Sequence, residues 1–324
     1  MVTLEYYTDR IEKGLKEIHY REQPANLYEP VRYILNLGGK RIRPALLLMS
    51  AALFSDDIEG ALPAALALEV FHNFTLMHDD IMDKADVRRS KATVHKVWNN
   101  NTAILSGDAT LIIAYDQLLK LPKKDFFEIF KVFNQTALEV CEGQQYDMDF
   151  ETRNDVSIQE YLEMIRLKTS VLIASALKIG AIIGGASEAD QESLYKIGEY
   201  LGLAFQLQDD YLDVYSNAEK FGKQNGGDIV NNKKTYLLIS ALNSNDKEAV
   251  NELNKWISKT TFNKDEKVRS VKLVYDKINI ASDTKEVAQN YFNSAIDILD
   301  KLDVEPSRKK PIKDIIDKLM CRET

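Results

Sequence analysis

Three aspartates, Asp79, Asp80 and Asp83, stand at i, i+1 and i+4 within LMHDDIMDKADVRR, residues 76 to 89. On a helix the first and last share a face, and a like-charge pair so placed costs roughly 0.2–0.5 kcal/mol. A multivalent cation would offset that cost. QLQDDYLD repeats the geometry with Asp209, Asp210 and Asp213. Both clusters are embedded in apolar sequence, FHNFTLMHDDIM and LGLAFQLQDDYLDVY, where unpaired carboxylates are costly. Carboxylates select hard cations, and Mg2+ is held by one or two of them while water and substrate phosphates complete its shell. Two facing clusters would grip a diphosphate through bridging metals and neutralise it as the leaving group of a C–O cleavage.

Basic residues at separated points fit the same chemistry. GGKRIRP places Lys40 and Arg43 in a Gly-rich approach to a helix N-terminus, which favours anions. Arg88 and Arg89 follow the first acidic cluster directly, and guanidinium groups suit bidentate phosphate contacts. Lys168, Lys223 and Lys233 are further candidates, although a lone lysine is more often a solvated surface charge. Gln206 lies three residues before Asp209 and so shares its helical face.

Helices must position these groups. The chain has 324 residues, 45% of them hydrophobic, with only 14 Gly and 7 Pro, and apolar residues recur at helical spacing almost throughout. The pattern predicts an all-α protein, a single domain over 1–324, with no strong strand candidate. Helices are expected near 3–19, 26–36, 44–54, 60–84, 94–99, 102–119, 125–149, 157–184, 187–214, 233–243, 245–257, 266–278, 282–301 and 308–321. Pro44 suits the first position of its helix and Ser187 an N-cap.

A net charge of −8 disfavours nonspecific nucleic-acid binding. The N-terminal segment lacks the apolar run of a signal peptide, and VLIASALKIGAIIGG, interrupted by Lys178, reads as a buried core helix, so a cytoplasmic protein with no stable membrane insertion is expected. Cys141 and Cys321 form no disulfide framework, and Cys141 reads as core packing. Residues 243–268 read as exposed charged helices and turns, and Arg308, Lys309 and Lys310 as a solvated turn.

GGKRIRP, EVFHNFTLMHDDIMDKADVRR, KATVH, the GD pair at 107–108, the KT pair at 168–169, FQLQDDYLD, and FGKQNGGDI followed by KKT together resemble the successive blocks of the trans-polyprenyl diphosphate synthases. The resemblance spans nearly the whole chain. It implies the isoprenoid synthase fold, helices around a central apolar cavity, and condensation of isopentenyl diphosphate with an allylic diphosphate. It also implies a homodimer and about three Mg2+ ions. Asp79 and Asp83, supported by Asp80, would hold two ions on the allylic diphosphate, and Asp209, with Asp210 and Asp213, a third. Arg88, Lys168 and Lys223 would hold that diphosphate from other sides, and Lys233 matches a basic position that closes over it. Lys40, Arg43, His72 and Arg89 would bind isopentenyl diphosphate. Thr169 and Gln206 occupy positions whose oxygens face the allylic cation, and the released diphosphate would take the final proton.

Two positions depart from the family pattern: Gln224 stands where a proline is common and Ser90 where a glycine is. Phe74 stands five positions before Asp79, about one and a half helical turns, with Val70 and Ala67 deeper. A bulky Phe74 beside a small Thr75 resembles archaeal-type geranylgeranyl synthases, so a twenty-carbon product is expected over the fifteen carbons of farnesyl diphosphate. A noncatalytic modulator subunit should have lost an acidic motif, and terpene cyclases or squalene-type synthases lack the pocket that Lys40, Arg43 and His72 would form. A purely structural helical scaffold has no use for the paired acids.

Overall fold

The computed structural model describes residues 3–216 and 226–321. In chain order its helices are α1 (Leu4–Lys16), α2 (Ala25–Leu35), α3 (Ile42–Phe54), α4 (Leu62–Met82), α5 (Val94–Val97), α6 (Asn100–Leu118), α7 (Lys123–Thr152), α8 (Ile158–Ile165), α9 (Val171–Gly184) and α10 (Glu188–Tyr215). They continue with α11 (Gly227–Val230), α12 (Tyr236–Leu242), α13 (Lys247–Ser258), α14 (Lys264–Lys277), α15 (Ile280–Lys301) and α16 (Pro306–Met320). A wide π-turn, Arg166–Ser170, joins α8 to α9 without interrupting the helix. Val87–Arg88 and Lys91–Ala92 form a minimal antiparallel ribbon, β1 and β2, that periodicity gave no sign of. Its turn is made by Arg89 and Ser90, both at positive φ.

Helix starts follow local chemistry. Ser187 caps α10 by accepting the Asp190 N–H at 3.2 Å. Ser157 and Glu160 form a reciprocal capping box at α8. Pro44, however, is the third residue of α3, not the first: Arg41 turns the chain at φ +48 and its carbonyl already accepts the Ala45 N–H. A proline is tolerated there because the first-turn N–H groups have no partner within the helix.

Contacts gather the chain into two compact units. The first comprises Met1–Asn134, Ser175–Tyr195 and Asp303–Ile312. Its core is α3 and α4, where Leu46, Leu47, Leu48, Leu68, Val70 and Phe71 are buried. The α9 segment reaches α3 through small residues: a Cβ on Gly180 would meet the Leu47 carbonyl oxygen at 2.2 Å, and the Ser50 hydroxyl donates to the Leu177 carbonyl. Gly107 lets α6 pass the His78 ring on α4 in the same way, a Cβ there lying 2.2 Å from Nε2. Arg308 is no solvated turn residue; it lies in α16, donates to the Ala52 carbonyl at 2.9 Å and pairs with Asp56. Lys309 beside it is buried.

The second unit comprises Gln135–Ala174, Lys196–Leu302 and Lys313–Thr324. One cluster packs Leu237, Leu253, Trp256, Val271 and Tyr275, and another packs Phe150, Tyr161, Ile165, Leu207 and Ile239. Glycines let the backbone close on the π-turn. A Cβ on Gly143 of α7 would lie 2.3 Å from the Lys168 nitrogen, and one on Gly202 of α10 would lie 2.3 Å from the Ser170 Cα.

Three expectations need correcting or extending. Ile158–Gly184 is long and apolar enough to cross a membrane, but 72% of its most apolar window is buried in the protein, as in a core helix. Cys141 is exposed, because α7 turns that position outward. Residues 243–268 are not uniformly exposed: Ala249, Leu253 and Trp256 form the buried stripe of α13, and Lys267 is 1% exposed.

Candidate active site

The first unit brings the anion-binding candidates together around one histidine. His72, on the same helix as the first acidic cluster, has its Nε2 3.4 Å from an Arg43 guanidinium nitrogen. Burial first, then the charges of Arg43, Arg89, Arg88 and Arg41, hold its pKa well below the ordinary histidine value. The ring is therefore neutral beside several guanidinium groups. Arg89 donates to the Gly38 carbonyl, and a Cβ on Gly39, which sits at φ +147, would lie 2.9 Å from the Arg89 Cζ. The double glycine thus gives Arg89 its seat next to the exposed Lys40.

Arg41, in the same GGKRIRP block, is the arginine that sequence reasoning passed over. Its side chain is 1% exposed, pairs with Glu12 at 2.7 Å and Glu69 at 2.5 Å, and donates to the Leu35 carbonyl. Glu69 is itself buried. A lysine–arginine–arginine pattern could not reveal which cation turns inward.

Asp79 and Asp80 close the last turn of α4, and Asp83 is its C-cap. Three carboxylates at the negative end of a helix are unfavourable on electrostatic grounds. Arg88 offsets part of this, contacting Asp80 Oδ1 at 2.7 Å and Asp79 Oδ2 at 3.6 Å. Burial nevertheless pushes the Asp80 carboxyl up to about 6, with Asp79 and Asp83 adding to the rise. Among the described residues its buried Oδ2 has no hydrogen-bond partner. Five positions before Asp79, Phe74 is buried against Phe71 and the His78 ring, at centroid distances of 5.6 and 4.8 Å. Val70 and Ala67, deeper on the helix, are fully buried.

The second unit assembles its own cluster around a residue not foreseen. Asp147 of α7 accepts from Lys168 Nζ at 2.6 Å, and Lys233 Nζ lies 3.9 Å from the same oxygen. Burial would raise this carboxyl, but Lys233 and Lys168 outweigh it and hold its pKa below the ordinary value. A signal existed: Gly143, Asp147 and Phe150 stand at i, i+4 and i+7, and the outer two face the core. Lys168 and Thr169 sit on the π-turn, a feature frequent at functional sites.

Thr169 and Gln206 meet, the hydroxyl donating to the amide oxygen at 3.1 Å, while the Gln206 amide donates to Asp210 Oδ1 at 3.0 Å. The buried Tyr161 phenol donates to the other Asp210 oxygen at 2.5 Å. Asp213 accepts the Asp228 N–H at 3.0 Å, so it also shapes the start of α11. Asp228, a second unforeseen residue, has its pKa raised by burial and by Asp210. Asp209 lies on the half-buried face of α10. Lys223 and Gln224 lie outside the described residues.

Among the described residues no three His, Cys, Asp or Glu side chains already converge into a metal-binding set. The donor chemistry still fits a hard cation. The clusters are all carboxylate, the buried Asp80 Oδ2 lacks a partner, and such ions need only one or two protein oxygens when phosphate and water supply the rest.

Comparison with known proteins agrees with this chemistry. The sequence profile described as polyprenyl synthetase matches residues 24–276. A geranylgeranyl diphosphate synthase of Methanosarcina mazei is 42% identical over 236 residues, covering 72% of this chain and 73% of the relative. A short chain isoprenyl diphosphate synthase of Methanocaldococcus jannaschii is 36% identical over 97% of this chain and 94% of its own. A crystal structure of a geranylgeranyl pyrophosphate synthase superposes with a TM-score of 0.95 at 48% identity, covering 100% of both chains. All-α with the isoprenoid synthase fold, this chain belongs to the polyprenyl synthetase family and is a trans-prenyltransferase.

Proposed function

We propose that the enzyme condenses isopentenyl diphosphate with an allylic diphosphate and releases a twenty-carbon product, geranylgeranyl diphosphate. The observation that carries this reading is the His72 ring 3.4 Å from Arg43 and under the positive charge of Arg89 and Arg88, on the same helix as Asp79 and Asp80. Lys40, Arg43, His72 and Arg89 bind the isopentenyl diphosphate. Arg88, Lys168, Lys223 and Lys233 hold the allylic diphosphate.

Asp79, Asp80 and Asp83, together with Asp209, Asp210 and Asp213, would hold Mg2+, about three ions per active site. Held by these carboxylates, Mg2+ would supply positive charge to the diphosphate leaving group. Thr169 and Gln206 turn oxygen dipoles toward the allylic carbon, their mutual hydrogen bond fixing both. Asp147 keeps Lys168 and Lys233 oriented toward the leaving group. The apolar wall around Phe74 excludes water from the cation, and the released diphosphate takes the proton from the condensed product.

Phe74 sets the product limit, and a twenty-carbon product is in keeping with two similar proteins named as geranylgeranyl synthases. The working form is a cytoplasmic homodimer. In support of a partner, Leu105, Ile112 and Leu119 recur at seven-residue spacing on α6 and its C-cap, exposed by 60, 59 and 68%. The test is to incubate the purified protein with Mg2+, isopentenyl diphosphate and allylic primers of increasing length, with and without a chelator, and to size the products. Metal-dependent elongation to twenty carbons is expected, and failure to extend any primer overturns the reading.

A further inference from the structure

The core of the second unit contains a lysine that no acidic partner explains. Lys267 on α14 is 1% exposed. Its Nζ donates to the Val230 carbonyl at 3.1 Å and to Asn232 Oδ1 at 2.6 Å, and it lies 4.3 Å from the Phe262 ring centroid. Among the described residues no carboxylate pairs with it. A buried ammonium is costly to maintain even when its donors are satisfied, and an apolar side chain of similar length would fill the same space. What the ammonium adds is a tie between two points of another segment.

Those two points bracket the turn that ends α11. Asn232 adopts φ +53, and its amide also donates to the Ile257 carbonyl at 3.2 Å. The next residue is Lys233, whose backbone N–H returns to the Asp228 carbonyl at 2.9 Å. One position along α14, Val268 packs on Gly226, where a Cβ would lie 2.6 Å from its Cγ1. Lys267 and Val268 therefore secure both ends of 226–233, the segment that carries Asp228 and Lys233. The Lys233 ammonium projects from this segment to within 3.9 Å of the Asp147 carboxylate.

We infer that Lys267 is a positioning residue: by binding the Val230 carbonyl and the Asn232 side chain it fixes the backbone from which Lys233 reaches the Lys168–Asp147 pair. It touches no substrate. The inference rests on reading Lys233 as a contact of the allylic diphosphate and assigns a distant helix to holding that contact in register.

The test is a double-mutant cycle on the full-length enzyme, with kcat and KM measured separately for the allylic primer and for isopentenyl diphosphate. Lys267→Met is expected to lower kcat/KM for the allylic primer on the order of 10- to 100-fold, the scale of a small misplacement, without changing the KM for isopentenyl diphosphate. In the Lys233→Ala background the same substitution should cost almost nothing further, because residues acting through one another are not additive. Asn232→Gly, which keeps the left-handed backbone while removing the acceptor for Lys267 together with the donor to the Ile257 carbonyl, should give the same kinetic split and guards against a Lys267 variant that fails to fold. Losses that multiply in the double variant, or an equal rise in both KM values, overturn the inference. If Lys233→Ala alone leaves the allylic KM unchanged, the diphosphate contact itself has failed and the inference falls with it.

Discussion

Lys168 Nζ lies 2.6 Å from Asp147 Oδ2, joining the π-turn to α7 through one charge-assisted hydrogen bond. Lys233 approaches the same oxygen at 3.9 Å. One carboxylate thus holds two ammonium groups that would otherwise repel, and it does so from a position only 14% exposed, where screening by water is weak.

Replacing Asp147 by Asn should therefore leave two lysines crowded beside a neutral amide. The expected result is a fall in kcat/KM for the allylic primer of roughly 10- to 100-fold, with the KM for isopentenyl diphosphate unaltered. Steady-state kinetics with each substrate varied in turn would check this. A variant indistinguishable from wild type would remove Asp147 from the site.

Arg41 should matter to folding before it matters to turnover. Arg41→Met leaves Glu69 buried without its cation, and breaking a buried pair from one side costs about 3–5 kcal/mol. Urea denaturation should show that loss in the midpoint, and a second substitution, Glu69→Gln, should recover part of it. No shift in the midpoint would mean that water or another group takes over.

Truncating Phe74 to Ala should lengthen the product beyond twenty carbons while costing roughly 3–5 kcal/mol of stability, the usual range for a buried phenylalanine. Chromatographic sizing of the hydrolysed products settles the first part and thermal melting the second. An unchanged product length would place the stop elsewhere.

Acid should loosen the α8 cap only well below neutral pH. The Ser157 backbone and hydroxyl, together with Arg153, lower the Glu160 carboxyl from 4.5 to about 2. A folded-state pKa below the unfolded value gives stability that is complete above the unfolded pKa and lost as pH falls through the folded one. The contribution of Glu160 is therefore present above about pH 4.5 and disappears toward pH 2. Glu160→Gln should lower stability at neutral pH and flatten the dependence over that window. A variant whose acid limb parallels the wild type would show that the cap does not couple to global unfolding.

The helices and the acidic clusters were legible because periodicity and charge spacing are local. The i, i+1, i+4 aspartates announced themselves, and Thr169 and Gln206, named apart in the chain, do meet. Arg41, Asp147 and Lys267 were not legible in the same way. Each is a charged residue turned inward; helical spacing hinted at this for Asp147 alone, and the position of a distant partner, Glu69, Lys168 or Asn232, decides the rest. The π-turn was hidden for a different reason: it adds a residue to one turn of a helix that runs from 158 to 184, and the apolar pattern on either side remains helical. Cys141 shows the converse error, since a residue type that favours interiors stands on an outward position of α7.

The wide turn at 166–170 also affects how the surrounding helix faces count. Its extra residue shifts the phase of everything after it, so a face traced through α8 does not continue at the same spacing into α9. Because the wide turn absorbs its extra residue, loss of one residue there would return the stretch to a regular α-helix without turning α9 on its axis. Gly180 and Gly184 would keep their tight contacts with Leu47 and Ala51 of α3. Among relatives, a one-residue gap in this stretch should therefore need no matching change in side-chain size along α3.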